Sequence, residues 1–98
     1  MKVVYSPRSI RDLERIAARH RKVADIKTAR AIADRIEFVI NRLVRHPKSA
    51  PGVADRSGVR VVLVLRYPYK IFYRLREDAV EILHVRHTAR RSWKSKGQ

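Results

Sequence analysis

The segment His87-Thr88-Ala89-Arg90-Arg91 follows directly on Arg86, so one imidazole stands among three guanidinium groups. In that company the ring suits taking a proton better than giving one. Cleaving RNA through its own 2′-hydroxyl needs a base for that hydroxyl, cations for the phosphorane charge, and an acid for the leaving 5′-oxygen. His87 would be the base, with Arg86, Arg90 and Arg91 as the electrostatic clamp. Tyr69 and Tyr73 are proton donors only if strongly acidified, and no second histidine or carboxylate is placed as the acid. His84 reads as a packed or surface side chain, and His20 and His46 as helix-end groups. Metal chemistry has no signature: there is no Cys, no H-x-x-x-H and no carboxylate pair beside a histidine, so neither a metal nor a cofactor is expected. With three glycines, neither a phosphate-cradling loop nor a nucleophile elbow is written into the chain.

The charge balance points to anionic partners. The 98 residues carry 24 Lys and Arg against 9 Asp and Glu, a net charge of +15. Seventeen of the cations are arginines, whose planar fork suits phosphates and carboxylates. Such a chain seeks a polyanion or an acidic protein. Hydrophobic types make up 45%, enough for one modest core, and the length is that of a single domain, residues 1–98. The longest apolar run, Val61–Leu65, falls far short of the roughly 20 residues a membrane span needs, and no signal peptide opens the chain. A cytoplasmic protein without membrane contact is expected.

These groups need elements to hold them. Residues 2–5 (KVVY) read as a strand, and Ser6-Pro7 as the N-cap and first residue of a helix reaching about His20. Ile10, Leu13, Ile16 and Ala17 form its apolar stripe, leaving Arg8, Arg11, Arg15 and Arg19 on the outer face as a candidate row for binding a partner. After a bend at Arg21–Asp25, a second helix carries Ile26, Ala29, Ala33, Ile36, Ile40 and Leu43, widened by Ile32, Val39 and Val44, and closes at His46-Pro47. Residues 48–58 read as a loop. Val59–Leu65, Tyr69–Leu75 and Val80–Arg86 are strands, and residues 92–98 a flexible tail containing Trp93. Strict alternation puts Lys70, Phe72 and Arg74 on one face of their strand. On the last strand it puts Val80, Ile82, His84 and Arg86 on one face, and Glu81, Leu83, Val85 and His87 on the other. Arg60, Arg66, Lys70, Arg74 and Arg86 are then expected to gather into one cationic patch. The order β-α-α-β-β-β makes an α+β fold: a helical hairpin packed on one face of a mainly antiparallel four-stranded sheet.

The run Tyr67-Pro68-Tyr69-Lys70-Ile71-Phe72-Tyr73-Arg74, then Val80-Glu81-Ile82-Leu83-His84-Val85-Arg86-His87 and Arg90-Arg91, resembles the final strands of the RelE/ParE toxin superfamily. The opening Tyr5-Ser6-Pro7 is similar to that family's start. The resemblance implies a growth-inhibiting toxin of a bacterial type II toxin–antitoxin system, silenced by an antitoxin that is acidic and partly disordered until bound. RelE-like members are ribosome-dependent mRNA endonucleases, whereas ParE-like members poison DNA gyrase. The ending VEILHVRHTARR is closer to ParE-like proteins, and the tyrosine that many RelE-like nucleases carry after the last strand is missing, with Trp93 nearest. A gyrase-directed toxin is therefore favoured. The alternatives are a ribosome-dependent endoribonuclease working through His87, Arg86, Arg90 and Arg91, and a plain basic nucleic-acid-binding module.

Overall fold

Strand β1 (Lys2–Tyr5), helix α1 (Pro7–Val23), helix α2 (Ile26–Arg45) and strands β2 (Gly52–Val53), β3 (Arg56–Val64), β4 (Tyr69–Leu75) and β5 (Ala79–His87) follow one another along the chain. This computed structural model describes residues 1–23, 26–53, 56–64 and 66–88. The sheet order is β1-β5-β4-β3-β2. β1 runs parallel to β5, and the other neighbours are antiparallel. The two helices pack on this mixed sheet, giving the α+β fold expected. The four expected strands are all present. The two-residue β2 adds a fifth inside the segment that reads as loop, and β3 begins at Arg56, ahead of Val59.

Helix α1 starts where the Ser6-Pro7 pair places it. The Ser6 hydroxyl accepts from the Ser9 amide at 3.0 Å, satisfying one of the orphan N–H groups of the first turn. The helix runs past His20 to Val23, and its buried face is rotated from the one expected. Ile10 is exposed, while Ser9 and Asp12 are buried beside half-buried Leu13 and Ile16. In α2 the stripe narrows to Ile32, Ile36, Val39, Ile40 and Leu43; Ile26 and Ala33 face solvent. That stripe meets Ile71 and Tyr73 of β4 and Val80, Ile82 and Val85 of β5 in one core. Burying each such large apolar side chain contributes about 1.5–3 kcal/mol. Tyr73 is wholly buried, and its hydroxyl donates to the Pro47 carbonyl at 2.8 Å, tying β4 to the end of α2.

Alternation along β5 is broken by a bulge. Tyr73 pairs with Ile82 but Phe72 pairs with His84, which leaves Leu83 as an extra residue. The core side therefore carries Val80 and Ile82 before the bulge and Val85 after it, rather than the regular set expected. Val59 and Phe72, with Val61 and Leu83 against them, form a second small apolar cluster.

Candidate functional site

β1 accompanies β5 only from Ala79 to Ile82. At Tyr5 the chain turns into α1, and past Ile82 the polar groups of β5 are met by α1 instead of a strand. The Ser6 amide donates to the Ile82 carbonyl at 3.0 Å, and the Ser6 hydroxyl to the Leu83 carbonyl at 3.0 Å. Two turns into the helix, the Asp12 carboxylate accepts from the Val85 amide at 3.0 Å and lies 2.5 Å from Nδ1 of His84. Asp12 thus replaces the missing strand partner of Val85 and orients the imidazole. An Nδ1–H on His84 would donate to this carboxylate, and Arg8 approaches both ring nitrogens, with Nε 3.3 Å from Nδ1 and Nη2 3.5 Å from Nε2. The ring also stacks on Phe72, with centroids 5.9 Å apart. Burial pushes the His84 imidazole below its ordinary range; Asp12 opposes the shift, and Arg8 and Arg86 add to it. His84 is a buried ring held by its neighbours.

Between α1 and β5 lies an open cleft of about 180 Å³. Arg8, Arg15 and Arg19 line it from the helix, and Arg86 and His87 from the strand. Tyr69 and Val85 form its floor and are each only 3% exposed. The Tyr69 hydroxyl is 2.9 Å from Nε2 of His20, and its ring meets His87 edge-on at 5.4 Å. His20 is thus a partner of the floor as well as a residue near the end of α1.

The cations that sequence reasoning grouped together are distributed otherwise. Arg60 is opposite Tyr73, and its guanidinium donates to the carbonyl of Ala50 at 2.7 Å, with Lys48 further off at 3.4 Å. Arg66 is exposed in the β3–β4 turn with a left-handed φ of 79°. Arg74 lies 3.7 Å from Glu81, which Arg76 meets at 2.9 Å. Lys70 and Arg86 are cross-strand partners, with the Lys70 ammonium 5.9 Å from the Phe72 ring centre. The single patch is therefore not formed. Instead, three of the four α1 arginines join Arg86 and His87, two groups that sequence reasoning kept apart. Arg11 is exposed and does not line the cleft. Arg90, Arg91 and Trp93 lie outside the described residues. Tyr73 is no proton donor: burial raises its hydroxyl above the ordinary range, more than Arg60 and the backbone lower it.

Asp12 was missed in the sequence. Its signal was the helical phase, because Ser9, Asp12 and Ile16 share the face that turns inward. Among the described residues no cluster of His, Cys, Asp and Glu could hold a metal ion, and no helix is long and apolar enough to cross a membrane.

The fold and the sequence both have relatives. A chain of the chromosomal ParDE toxin–antitoxin system from P. aeruginosa has a similar structure, with a TM-score of 0.78 at 18% identity over 89% of this chain and 95% of that one. The isolated E. coli RelE toxin superposes with a TM-score of 0.66 at 11% identity, covering 98% of this chain and 93% of that one. A chain of the E. coli DinJ–YafQ complex gives 0.61 at 13% identity, covering 90% and 93%. At these identities the likeness is one of fold. No curated protein sequence matches the chain. The family model for the ParE toxin of the type II toxin–antitoxin system parDE matches residues 3–92, and with nearly the whole sequence accounted for, this chain belongs to the ParE toxin family.

Proposed function

We propose that this protein arrests growth by poisoning DNA gyrase in the cytoplasm and is neutralised by a cognate antitoxin. Membership of the ParE family supports the target, as does the ending VEILHVRHTARR. The observation that carries the reading is the cationic lining of the open cleft. His84 is engaged by Asp12 and Arg8, and Tyr73 by Pro47, whereas Arg15 and Arg19 line an open cleft with no ion pair among the described residues. Such a surface is suited to binding, and a toxin that traps another enzyme needs only to bind.

The antitoxin is acidic and disordered until it docks, which suits a globule of net charge +15. The similar structures from a ParDE system and a DinJ–YafQ complex support a protein partner of this kind. We place its contact on the outer edge of β1, where Val4 and Tyr5 are 46% and 40% exposed, and on the outward Arg11. An extended segment adding itself to that edge would gain main-chain hydrogen bonds.

The test is a supercoiling assay with purified gyrase at micromolar toxin, run beside mRNA integrity in a translation extract. Loss of supercoiling with cleaved DNA accumulating and mRNA intact is expected. Full gyrase activity alongside cut mRNA would transfer the assignment to a ribosome-dependent endoribonuclease centred on Arg86, His87, Arg90 and Arg91. The observation that favours this second reading is the position of His87 beside Arg86 at the cleft.

A further inference from the structure

The cleft between α1 and β5 has a geometry of its own. Arg8, Arg15 and Arg19 are 7 and 4 residues apart, so they lie nearly in line on one helix face. At about 1.5 Å per residue the row is roughly 16 Å long, close to the rise of five nucleotides at about 3.4 Å each. Arg86 and His87 border the same cleft from the strand. A volume of about 180 Å³ is room for roughly six waters, which accommodates a phosphate with its ester oxygens. Arg8 is held in place from below, since the imidazole it faces is fixed by Asp12.

The lining decides what kind of anion fits. Tyr69 and Val85 are covered and the Asp12 carboxylate is taken up by His84 and Val85, so besides half-buried Ile16 the cleft offers a ligand guanidinium and imidazole groups. A peptide finds few apolar anchors here, and isolated surface pairs between carboxylates and arginines yield little net affinity. A nucleic-acid backbone needs no such anchor, because each neutralised phosphate releases condensed counterions. We propose that the α1–β5 cleft binds the phosphodiester backbone of a nucleic-acid strand, giving the toxin a direct contact with nucleic acid in addition to its protein partners.

The test uses the full chain, a short fluorescein-labelled DNA duplex and fluorescence anisotropy between about 50 and 200 mM salt. The double variant Arg15→Ala/Arg19→Ala removes two cleft cations. The control Arg42→Ala/Arg45→Ala removes the same charge from exposed positions in the last turn of α2. Both doubles are first shown to be folded by circular dichroism and urea unfolding. The cleft double is expected to flatten the slope of log K against log salt by about 2 and to weaken binding at least tenfold near 0.1 M salt. The control double should bind within about threefold of the parent. Equal losses in the two doubles would mean net charge alone is being read, and would overturn the site. So would binding that depends on Arg15 and Arg19 with a poly-glutamate peptide but not with DNA, which would make the cleft a protein-docking site. Gyrase inhibition is read separately, so either proposal can fail while the other stands.

Discussion

Replacing Asp12 with alanine strikes the point where α1 takes over from β1. In the native structure its buried carboxylate accepts from the Val85 amide at 3.0 Å and from Nδ1 of His84 at 2.5 Å. Alanine would leave both donors without that acceptor. An unsatisfied buried donor costs about 1–3 kcal/mol, so two give about 2–6 kcal/mol, and we expect roughly 4. That is a large share of the 5–15 kcal/mol typical of a whole domain. Asp12→Asn keeps one acceptor oxygen and should lose about half as much. The measurement is urea unfolding with a common m-value, together with thermal melts, where a loss of 4 kcal/mol corresponds to a drop of roughly 16 °C or more in Tm. A double-mutant cycle with His84→Phe isolates the Asp12–His84 share and should give a coupling of about 1–3 kcal/mol. A loss below about 1 kcal/mol in Asp12→Ala, or coupling near zero, would refute the view that this carboxylate completes the sheet edge.

Two further outcomes are expected. His84 is held below its ordinary value near 6.5 by burial, with Arg8 and Arg86 adding to the shift and Asp12 opposing it. The unfolded chain therefore takes up this proton near 6.5 and the folded protein only at lower pH, so the ring's contribution to stability is complete above 6.5 and is lost as pH falls. Urea midpoints between about pH 7.5 and 5.5 should drop further for the parent than for His84→Phe, and parallel curves would contradict the assignment. Tyr73→Phe removes the hydroxyl that donates to Pro47 and should cost about 1 kcal/mol by the same unfolding measurement, while an unchanged midpoint would mean the bond contributes nothing net.

Much of the architecture was legible because it rests on local rules. Ser6-Pro7 marks the start of α1 through cap chemistry, and the switch from helical to alternating periodicity after residue 58 marks the sheet. What failed was phase. Strict alternation misassigned β5 because the extra Leu83 slips the register, and nothing in a run of Val, Ile and Leu reveals a bulge. Helix α1 was turned the wrong way because Ile10 looks like core and Asp12 looks like surface. The reverse holds because Asp12 has a long-range partner in β5, and a residue's partner 72 positions away cannot be read from local spacing. The same error separated the α1 arginines from Arg86 and His87, so the cleft appears only in three dimensions. Arg60 was misread because its partners are backbone carbonyls, which every residue carries and no motif announces.

The parallel pairing of β1 with β5 has a consequence for how the molecule comes into being. The first strand finds its ladder on the last one, and Ser6 and Asp12 reach across to Ile82, Leu83, His84 and Val85 of β5. While the ribosome is still adding residues ahead of Ala79, α1 can pack on α2, but the N-terminal strand has no ladder and Asp12 no partner. A nascent chain therefore cannot complete this fold stepwise from its beginning; it must wait for its final strand and then join both ends together. The arginines of α1 take up their places beside Arg86 only at that closing step.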